Sequence, residues 1–278
     1  MKKANKRIRW MVLAAALLAA VSICLYGRSQ LWGAGLNVTV LNTGKSDCIL
    51  IEADGRTMMI DAGYEENGEQ IVDFLRERGI ARLDYLLITH FDKDHIGGAD
   101  QVLRAVEVGE VIQPNGDKDS KQYRQYTSAL AGAGLTARRL SGTEEFALGE
   151  ASVRLLAAQR TDYEGDNDLS IMAELRYGER SFLFAGDAED VRLAEYLEQA
   201  PGHFDFLKAP HHGRLGGRTE EFLRAVSPNY AVITCSRTEG AEWGVTQLLQ
   251  NMGCETCLTS EGEVMLRCDG VRIKIWQD

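Results

Sequence analysis

The segment THFDKDHIGG contains four side chains that can bind a metal ion, all within six consecutive positions: His90, Asp92, Asp94 and His95. Asp84 to Thr89 is typical of a buried strand, so His90 and Asp92 would leave it on one side, while Asp94 and His95 diverge. Two carboxylates in one cavity repel each other unless a cation neutralises them. The spacing predicts a site for one or two divalent ions. Zinc suits imidazole with carboxylate, and the oxygen-rich set leaves manganese or iron open.

Further candidate ligands lie far along the chain, as a metal site requires. The chain has only five histidines. His211 and His212 follow the apolar run Phe204 to Ala209, which Pro210 ends, so four of the five histidines lie at the ends of predicted strands. His203, in a polar turn, is predicted to be ordinary surface.

Two acidic stretches are weaker candidates. Asp187 follows the strand pattern Phe182 to Ala185; an aspartate there is often a helix N-cap, but the neighbouring motifs favour a metal-bridging role. Asp166, Asn167 and Asp168 precede another strand. Either an Asx turn or a contribution to the site would explain them.

The elements that must position these residues alternate along the chain. Strand patterns fall at about residues 37–42, 47–52, 57–61, 84–89, 110–113, 152–157, 170–176, 181–185, 205–209, 230–234 and 263–275. Helix patterns fall near 68–79, 98–106, 120–132, 188–199, 219–226 and 243–252. An α/β protein with two mixed sheets and helices outside them follows.

Five ordered motifs resemble those of the metallo-beta-lactamase fold: IDAG, THFDKDHIGG, GDNDLS, FAGDAE and LKAPHHG, between Ile60 and Gly213. The opening Leu36 to Gly63 and the HHG motif are especially similar to the hydrolase domain of ComEC-type competence proteins, a domain considered to be a nuclease. The resemblance covers about residues 36–278. It implies a four-layer αββα sandwich, here preceded by an N-terminal transmembrane helix.

The motifs of this family imply roles for individual residues. By this resemblance, Asp61 is the buried aspartate that orients the ligand loop. The resemblance also implies that His90 and Asp92 bind one metal, Asp94 and His95 the other, and that Asp187 bridges them. His211 would supply the last ligand, with His212 as its alternative.

The chain departs from the family pattern in three places. No histidine stands at the third motif, so Asn167 or Asp168 must fill that place or leave it empty, and Asp92 stands where many members have histidine. The loop SRTEGAEWG lacks a histidine that competence-type proteins often carry there.

The implied activity is hydrolysis by a metal-activated water, most often of phosphodiester bonds in small or single-stranded nucleic acid substrates. Asp94, Asp187 and His212 are the catalytic candidates, with Asp187 or His212 moving a proton. Lys208 and Arg214 flank the HHG ligands and are candidate phosphate contacts. An acyl hydrolase acting on a lactone, thioester or β-lactam, and a non-catalytic metal-binding scaffold at the membrane, are the alternatives.

The start of the chain predicts where this chemistry occurs. Residues 2–9 carry five positive charges and no acid, and residues 10–26 are seventeen residues without charge. This is typical of an export signal, and the poor cleavage site favours an uncleaved single-pass anchor over a secreted product. The basic end stays inside, so residues 36–278 would face outward behind a tether at 29–35.

Composition fits a single domain behind that anchor, and no protein partner is predictable. With the six basic residues of positions 1–28 set aside, 25 basic residues face 41 acidic ones, a net charge of about −16. Such a surface lacks the basic footprint of a processive DNA-binding protein. Among the cysteines, Cys48 and Cys235 are predicted core residues. A local disulfide is expected among Cys254, Cys257 and Cys268, with its pairing left open.

Overall fold

A computed structural model describes residues 35–277 as two mixed β-sheets with helices on their outer faces. In the first sheet the spatial order is β15-β14-β1-β2-β3-β4-β5-β6. Its strands are β1 (Leu36–Val40), β2 (Ile49–Ala53), β3 (Arg56–Ile60), β4 (Arg82–Leu87), β5 (Glu107–Pro114), β6 (Arg138–Leu140), β14 (Val264–Cys268) and β15 (Ile273–Gln277).

The second sheet has the order β13-β12-β11-β10-β9-β8-β7. Its strands are β7 (Thr143–Leu148), β8 (Ala151–Leu156), β9 (Met172–Tyr177), β10 (Arg180–Phe184), β11 (Phe206–Lys208), β12 (Tyr230–Ile233) and β13 (Glu255–Leu258). The helices are α1 (Gly68–Glu77), α2 (Lys93–Ile96), α3 (Ala99–Ala105), α4 (Lys121–Gly132), α5 (Asp190–Leu197), α6 (Thr219–Val226) and α7 (Trp243–Asn251).

Three layers of buried apolar side chains hold these elements together. Alternation along β2 sends Ile49 and Ile51 into the core between the sheets and Leu50 toward helices α1, α3 and α4. On the other side, Leu183 of β10 packs toward α5, α6 and α7, while Phe182 faces the central core. The predicted α/β sandwich of two mixed sheets is confirmed, and the three cores separate four layers.

The structure differs from the sequence-based elements in places where the apolar pattern is weak. The predicted strand at 263–275 is a hairpin, β14 and β15, which turns at Asp269 to Arg272. Strands β6, β7 and β13 were not predicted. β7 is an edge strand with exposed acidic residues, so it lacks the alternation that would reveal it.

The predicted local disulfide is wrong for the cysteines within residues 35–277, all of which are free thiols. Cys254 packs in the core beneath α5, α6 and α7, whereas Cys257 and Cys268 contact the core between the sheets. Positions three apart on an extended chain project to opposite faces of a sheet, which keeps Cys254 and Cys257 apart.

The predicted membrane anchor and most of its tether lie outside the described residues. Within residues 35–277, no helix combines the length and the apolar character needed to cross a bilayer.

Candidate metal centre

The candidate ligands come from strand ends that meet at one edge of the sandwich. β3 and β4 are parallel neighbours in the first sheet, and β10 and β11 are parallel neighbours in the second. The carboxyl ends of parallel neighbours share one edge of their sheet. Asp61 follows β3, His90 to His95 follow β4, Asp187 follows β10, and His211 and His212 follow β11.

Four of these side chains form a compact cluster. One ligand atom from each of Asp94, His95, Asp187 and His212 lies within 4.8 Å of the others. Asp187 Oδ2 is central, at 3.2 Å from His95 Nε2 and 3.1 Å from His212 Nε2. Asp94 Oδ2 lies 3.4 Å from His212 Nε2. The structure therefore joins residues from three distant motifs in one buried site.

The orientation of His95 is fixed by Asp61. His95 Nδ1 lies 2.8 Å from Asp61 Oδ2. The same carboxylate accepts hydrogen bonds from the backbone N–H and the hydroxyl of Thr89, at 2.8 and 2.7 Å. An Nδ1–H donated to Asp61 leaves Nε2 of His95 directed at Asp187. Asp61 has the supporting position that its motif predicts.

His212 is held by a second relay. The Thr234 hydroxyl donates to Asp47 Oδ1 at 2.7 Å, so its oxygen accepts from His212 Nδ1 at 2.9 Å. This arrangement directs Nε2 of His212 into the cluster. Sequence analysis missed both supporting residues. Asp47 lies 187 residues from Thr234, and a polar residue beside a strand carries no sign of such a partner.

The His90 ring is also oriented by a hydrogen bond at its Nδ1. Its Nδ1 lies 3.1 Å from the Thr89 hydroxyl oxygen, and its ring centroid lies 4.1 Å from that of His95. Since the Thr89 hydroxyl proton is donated to Asp61, His90 Nδ1 is the donor to Thr89. Nε2 of His90 is thereby left as a free acceptor.

These residues fit a divalent metal ion. Nε2 of His90, His95 and His212 and Oδ1 of Asp187 are buried and have no hydrogen-bond partner. Buried polar atoms without partners are rare because they lose the hydrogen bonds they would make to water. Imidazole nitrogens and carboxylate oxygens around one space are ligands that zinc accepts, and manganese suits the carboxylates. A metal ion in the cluster would satisfy the ring nitrogens of His95 and His212 and the carboxylate of Asp187.

The protonation states of the cluster are strongly coupled. Burial opposes a charge on His95 and His212, but the carboxylate of Asp187 outweighs it and raises the pKa of both imidazoles. Burial would likewise raise the pKa of Asp187, but the two imidazoles lower it well below its usual value. Burial would also raise the pKa of Asp94, but the neighbouring imidazoles of His212 and His95 lower it to about 2. Without a metal, protons on the imidazoles neutralise the carboxylates.

Comparison with known proteins identifies the family. The family model described as Metallo-beta-lactamase superfamily matches residues 41–237, well over half of the chain. The chain belongs to the metallo-beta-lactamase superfamily. The predicted family resemblance is confirmed.

The curated relatives of this superfamily member include competence proteins. ComE operon protein 3 of Bacillus subtilis is 27% identical over 70% of the chain, and Recombination protein 2 of Haemophilus influenzae is 27% identical over 72%. Competence protein ComA of Neisseria gonorrhoeae is 26% identical over 84%. The chain spans about a quarter of the length of the first two relatives, 26% and 24%.

Solved structures share the fold at low identity. The metallo-beta-lactamase fold protein YhfI from Bacillus subtilis has a TM-score of 0.55 and 10% identity, covering 87% of this chain and 100% of its own. CmlA, a diiron beta-hydroxylase from Streptomyces venezuelae, has a TM-score of 0.52 and 18% identity, covering 88% and 54%. These similarities establish the fold of this superfamily member. Its reaction has to be inferred from its own residues.

The last ligand from the HHG turn differs from the sequence-based expectation. In this metallo-beta-lactamase superfamily member His212, rather than His211, enters the cluster. His211 Nε2 lies 3.8 Å from Asp187, and its Nδ1 lies 2.9 Å from Glu189 Oε1. Both histidines have positive φ, 43° and 52°, which turns the chain so that the second ring points inward. Two such residues in succession cannot be anticipated from the letters HHG.

Lys208 is not a substrate contact, contrary to its predicted role. Its side chain is fully buried and its ammonium forms an ion pair with Asp47. It also donates to the Gly186 carbonyl at 3.1 Å and lies 3.6 Å from Asp187 Oδ1. Lys208 therefore stabilises the floor of the site. Arg214 lines an open cleft of about 700 Å³ beside the cluster, where a substrate contact stays a prediction.

The third motif supplies a supporting residue in Asp168. Asp168 accepts hydrogen bonds from the backbone N–H of Glu189 and Arg192, at 3.2 and 3.1 Å, and so holds the start of α5. It does not belong to the compact cluster among the described residues. Asn167 donates to Glu189 Oε1 at 3.1 Å, while its own Oδ1 is buried without a hydrogen-bond partner. Asp168 therefore does not fill the third-motif place, and the choice between Asn167 and an empty place stays open.

The remaining predicted positions are separate from the cluster. His203 is half exposed on the surface and its Nδ1 lies 2.8 Å from the Ser227 carbonyl oxygen, as expected for an ordinary surface residue. Asp92 forms an ion pair with Lys118, and its Oδ2 lies 4.0 Å from His90 Nε2. The structure thus brings Asp94, His95, Asp187 and His212 together and leaves Asp92 at the rim.

Proposed function

We propose that this chain is a metal-dependent phosphodiesterase acting on small phosphodiesters or single-stranded nucleic acid. The observation that carries the proposal is the convergence of Asp94, His95, Asp187 and His212 around buried ring nitrogens without hydrogen-bond partners. This arrangement is that of a metal site, and it lies beside an open cleft.

The choice of a phosphodiester rests on two lines of support. The relatives are named for competence and recombination, and the ComEC-type domain that the motifs resemble is considered a nuclease. The cleft contains two arginines, Arg160 and Arg214, which can contact a phosphate directly although five acidic residues line the same cleft. A small or single-stranded substrate suits this surface because it brings fewer phosphates near the surrounding acids.

The residues of the site have two roles, holding the metal ion and orienting the residues that hold it. Asp94, His95, Asp187 and His212 would hold the metal, with His90 adjacent. A divalent ion held there supplies Lewis acidity for activating water and polarising a phosphoryl group. Asp61 fixes the tautomer of His95 and Asp47 that of His212 through Thr234.

His211 is the imidazole placed to move a proton at the mouth of the site. Its side chain is 13% exposed, lines the cleft and lies beside Glu189. His211 Nε2 would carry the proton for the leaving oxygen, while Glu189 beside Nδ1 holds the ring in place. His212 is less suited to this role because its ring is buried, with Nδ1 bonded to Thr234 and Nε2 3.1 Å from Asp187.

The proposed location is the outer face of the cell membrane. The basic residues 2–9 followed by seventeen uncharged residues support a single-pass anchor with residues 36–278 outside. Fractionation followed by protease treatment of intact cells tests this. Protection of the domain from external protease would contradict the proposal.

The activity is tested with the purified 278-residue chain in detergent, loaded with Zn²⁺ or Mn²⁺. We expect hydrolysis of bis-p-nitrophenyl phosphate and of a labelled single-stranded oligonucleotide, lost on chelation and in His212→Ala. His203→Ala, a surface histidine outside the cluster, is the matched control and keeps full activity. Cleavage of a lactone, thioester or β-lactam with no phosphodiester cleavage would replace the proposal with an acyl hydrolase. Metal binding without turnover of any substrate would favour the scaffold.

A further inference from the structure

The cluster of candidate ligands is uneven, with one tight group and one outlying pair. Asp94, His95, Asp187 and His212 have donor atoms within 4.8 Å of one another. Among residues 35–277, no third histidine, cysteine or acidic group joins His90 and Asp92 in a comparable group. The pair that motif spacing assigns to a separate ion is therefore short of ligands.

A lysine lies where the outlying carboxylate would meet a cation. Lys118 forms ion pairs with Asp92 and with Asp166, the latter at 2.6 Å. It follows β5, whose parallel pairing with β4 brings Lys118 to the same sheet edge as Asp92. Asp166 belongs to the connection between β8 and β9 of the other sheet, so the ammonium links loops from both sheets.

We infer that the chain binds one metal ion tightly, at Asp94, His95, Asp187 and His212, and that the Lys118 ammonium takes the place of a second ion beside Asp92. The inference rests on the proposed metal centre and adds its stoichiometry. Lys118 already neutralises Asp92, and a divalent ion placed there would be repelled by the ammonium. Burial disfavours the charge on Lys118, but Asp166 and Asp92 outweigh it and raise its pKa, so it stays cationic.

The Lys118 ammonium also lies where it could contact a bound substrate. The Lys118 side chain is 27% exposed at the rim, whereas the cluster histidines His95 and His212 are buried. A cation at this place would meet an anionic oxygen of the substrate without binding water as a metal would. Lys118 therefore replaces the charge of a second ion but not its Lewis acidity.

Metal stoichiometry of the full chain tests the inference independently of activity. The detergent-solubilised protein is titrated with Mn²⁺, bound metal is counted after desalting, and electron paramagnetic resonance distinguishes isolated from spin-coupled ions. We expect one isolated ion per chain in the wild type and in Asp92→Asn. Lys118→Ala frees the carboxylate of Asp166 as well as that of Asp92 and is therefore expected to bind two coupled ions, and the second is lost again in Lys118→Ala combined with Asp92→Asn.

Lys121→Ala is the matched control, because exposed Lys121, the first residue of α4, pairs with Glu65 and leaves Asp92 untouched. It should bind one ion, like the wild type. Two ions in the wild type, or one ion in a folded Lys118→Ala protein, would overturn the inference and leave the proposed hydrolase intact. A wild type that binds no metal would overturn the proposed function as well. Lys118→Met, which keeps the length of the aliphatic stem without the ammonium, repeats the measurement if Lys118→Ala fails to fold by circular dichroism.

Discussion

At the scale of single residues, the centre depends on carboxylates that never need to touch the metal. Asp61 has φ of 57°, a conformation that is uncommon outside glycine, and it accepts hydrogen bonds from Thr89 on both oxygens. It holds His95 as a result. Asp47 has a similar function for His212 and also pairs with buried Lys208. Such supporting groups commonly contribute as much to metal affinity as some direct ligands.

Replacing Asp61 with asparagine should weaken metal binding without removing a ligand. We expect roughly a 10–100-fold loss of Mn²⁺ affinity, the range typical of supporting carboxylates. Isothermal titration calorimetry measures it. Asp205→Asn is the control, since Asp205 is also buried and hydrogen-bonded to backbone, at Ser181, but lies away from the cluster. Equal affinities in wild type and Asp61→Asn would show that Asp61 does not orient His95.

The coupled titration of the cluster predicts how pH affects the metal-free protein. The raised pKa of His95 and His212 gives stability that is present below the unfolded value of about 6.5 and is lost as pH rises through the folded pKa. The lowered pKa of Asp187 and Asp94 gives stability that is lost only as pH falls below about 3.9 toward their folded values.

Burial lowers the pKa of His90 and His211, so these two imidazoles act in the opposite sense, but only up to their unfolded value of about 6.5. With a chelator present, the melting temperature should therefore fall as pH rises from about 7 to 9. With excess Mn²⁺ the stabilisation by metal should grow over the same range, because binding requires unprotonated imidazoles. Differential scanning fluorimetry in matched buffers follows both curves. A metal-free melting temperature that rises across this range would contradict the assignment of protonated imidazoles.

At the scale of elements, the ligand loop is held by two glycines packed against the loop that follows β3. A Cβ on Gly97 would lie 2.4 Å from both the Glu65 nitrogen and the Lys93 carbonyl oxygen. One on Gly98 would lie 2.5 Å from the Ala62 carbonyl oxygen. The close approach brings α2, which carries His95, beside Asp61.

Substituting Gly97 with alanine should therefore displace α2 and disturb the metal centre. We expect a loss of about 1–3 kcal/mol in unfolding free energy, typical of overpacking, together with weaker metal binding. Gly132→Ala in α4 is the control, since nothing lies within 4 Å of its added methyl group. That change should be neutral or stabilise the protein by up to about 1 kcal/mol. Chemical denaturation measures both; equal unfolding energies would refute the packing argument.

The sequence was sufficient to predict the buried strands, but not the contacts between single residues that complete the site. Buried strands such as Phe182 to Ala185 were predictable because continuous apolar runs end in turn residues. The partnership of Asp47 with Lys208 was not, because it joins residues far apart in the chain that each look ordinary alone. The choice between His211 and His212 depends on two left-handed residues in a row, which no periodicity encodes.

At the scale of the whole molecule, the net negative charge and the two arginines set among five acidic residues of the cleft determine how nucleic acid binding depends on salt. Single-stranded nucleic acid binding has a salt slope of about −0.7 per neutralised phosphate. Two arginines, Arg160 and Arg214, line the cleft. The affinity of the protein for nucleic acid should therefore depend far less on salt concentration than that of a processive nucleic-acid-binding protein.

For Asp187→Asn, used to prevent turnover, we expect a slope of log affinity against log salt of about −1.4. Adding Arg160→Ala and Arg214→Ala should flatten it toward zero. Fluorescence anisotropy with a labelled oligonucleotide gives the slopes, and Arg56→Ala, an exposed arginine outside this cleft, is the control. A steep slope that survives loss of both cleft arginines would locate the contact elsewhere.

The direction of β1 has a consequence for how a tethered domain would work. Gly35 precedes Leu36, which pairs with Ala53, whereas Val40 at the other end of β1 pairs with Ile49, next to Ile60 and Asp61. The polypeptide thus enters the sandwich at the pole opposite the metal centre, about 17 Å away for a five-residue strand. An anchor attached there would hold the mouth of the site outward from the lipid, so that substrates arrive from the surroundings rather than along the bilayer.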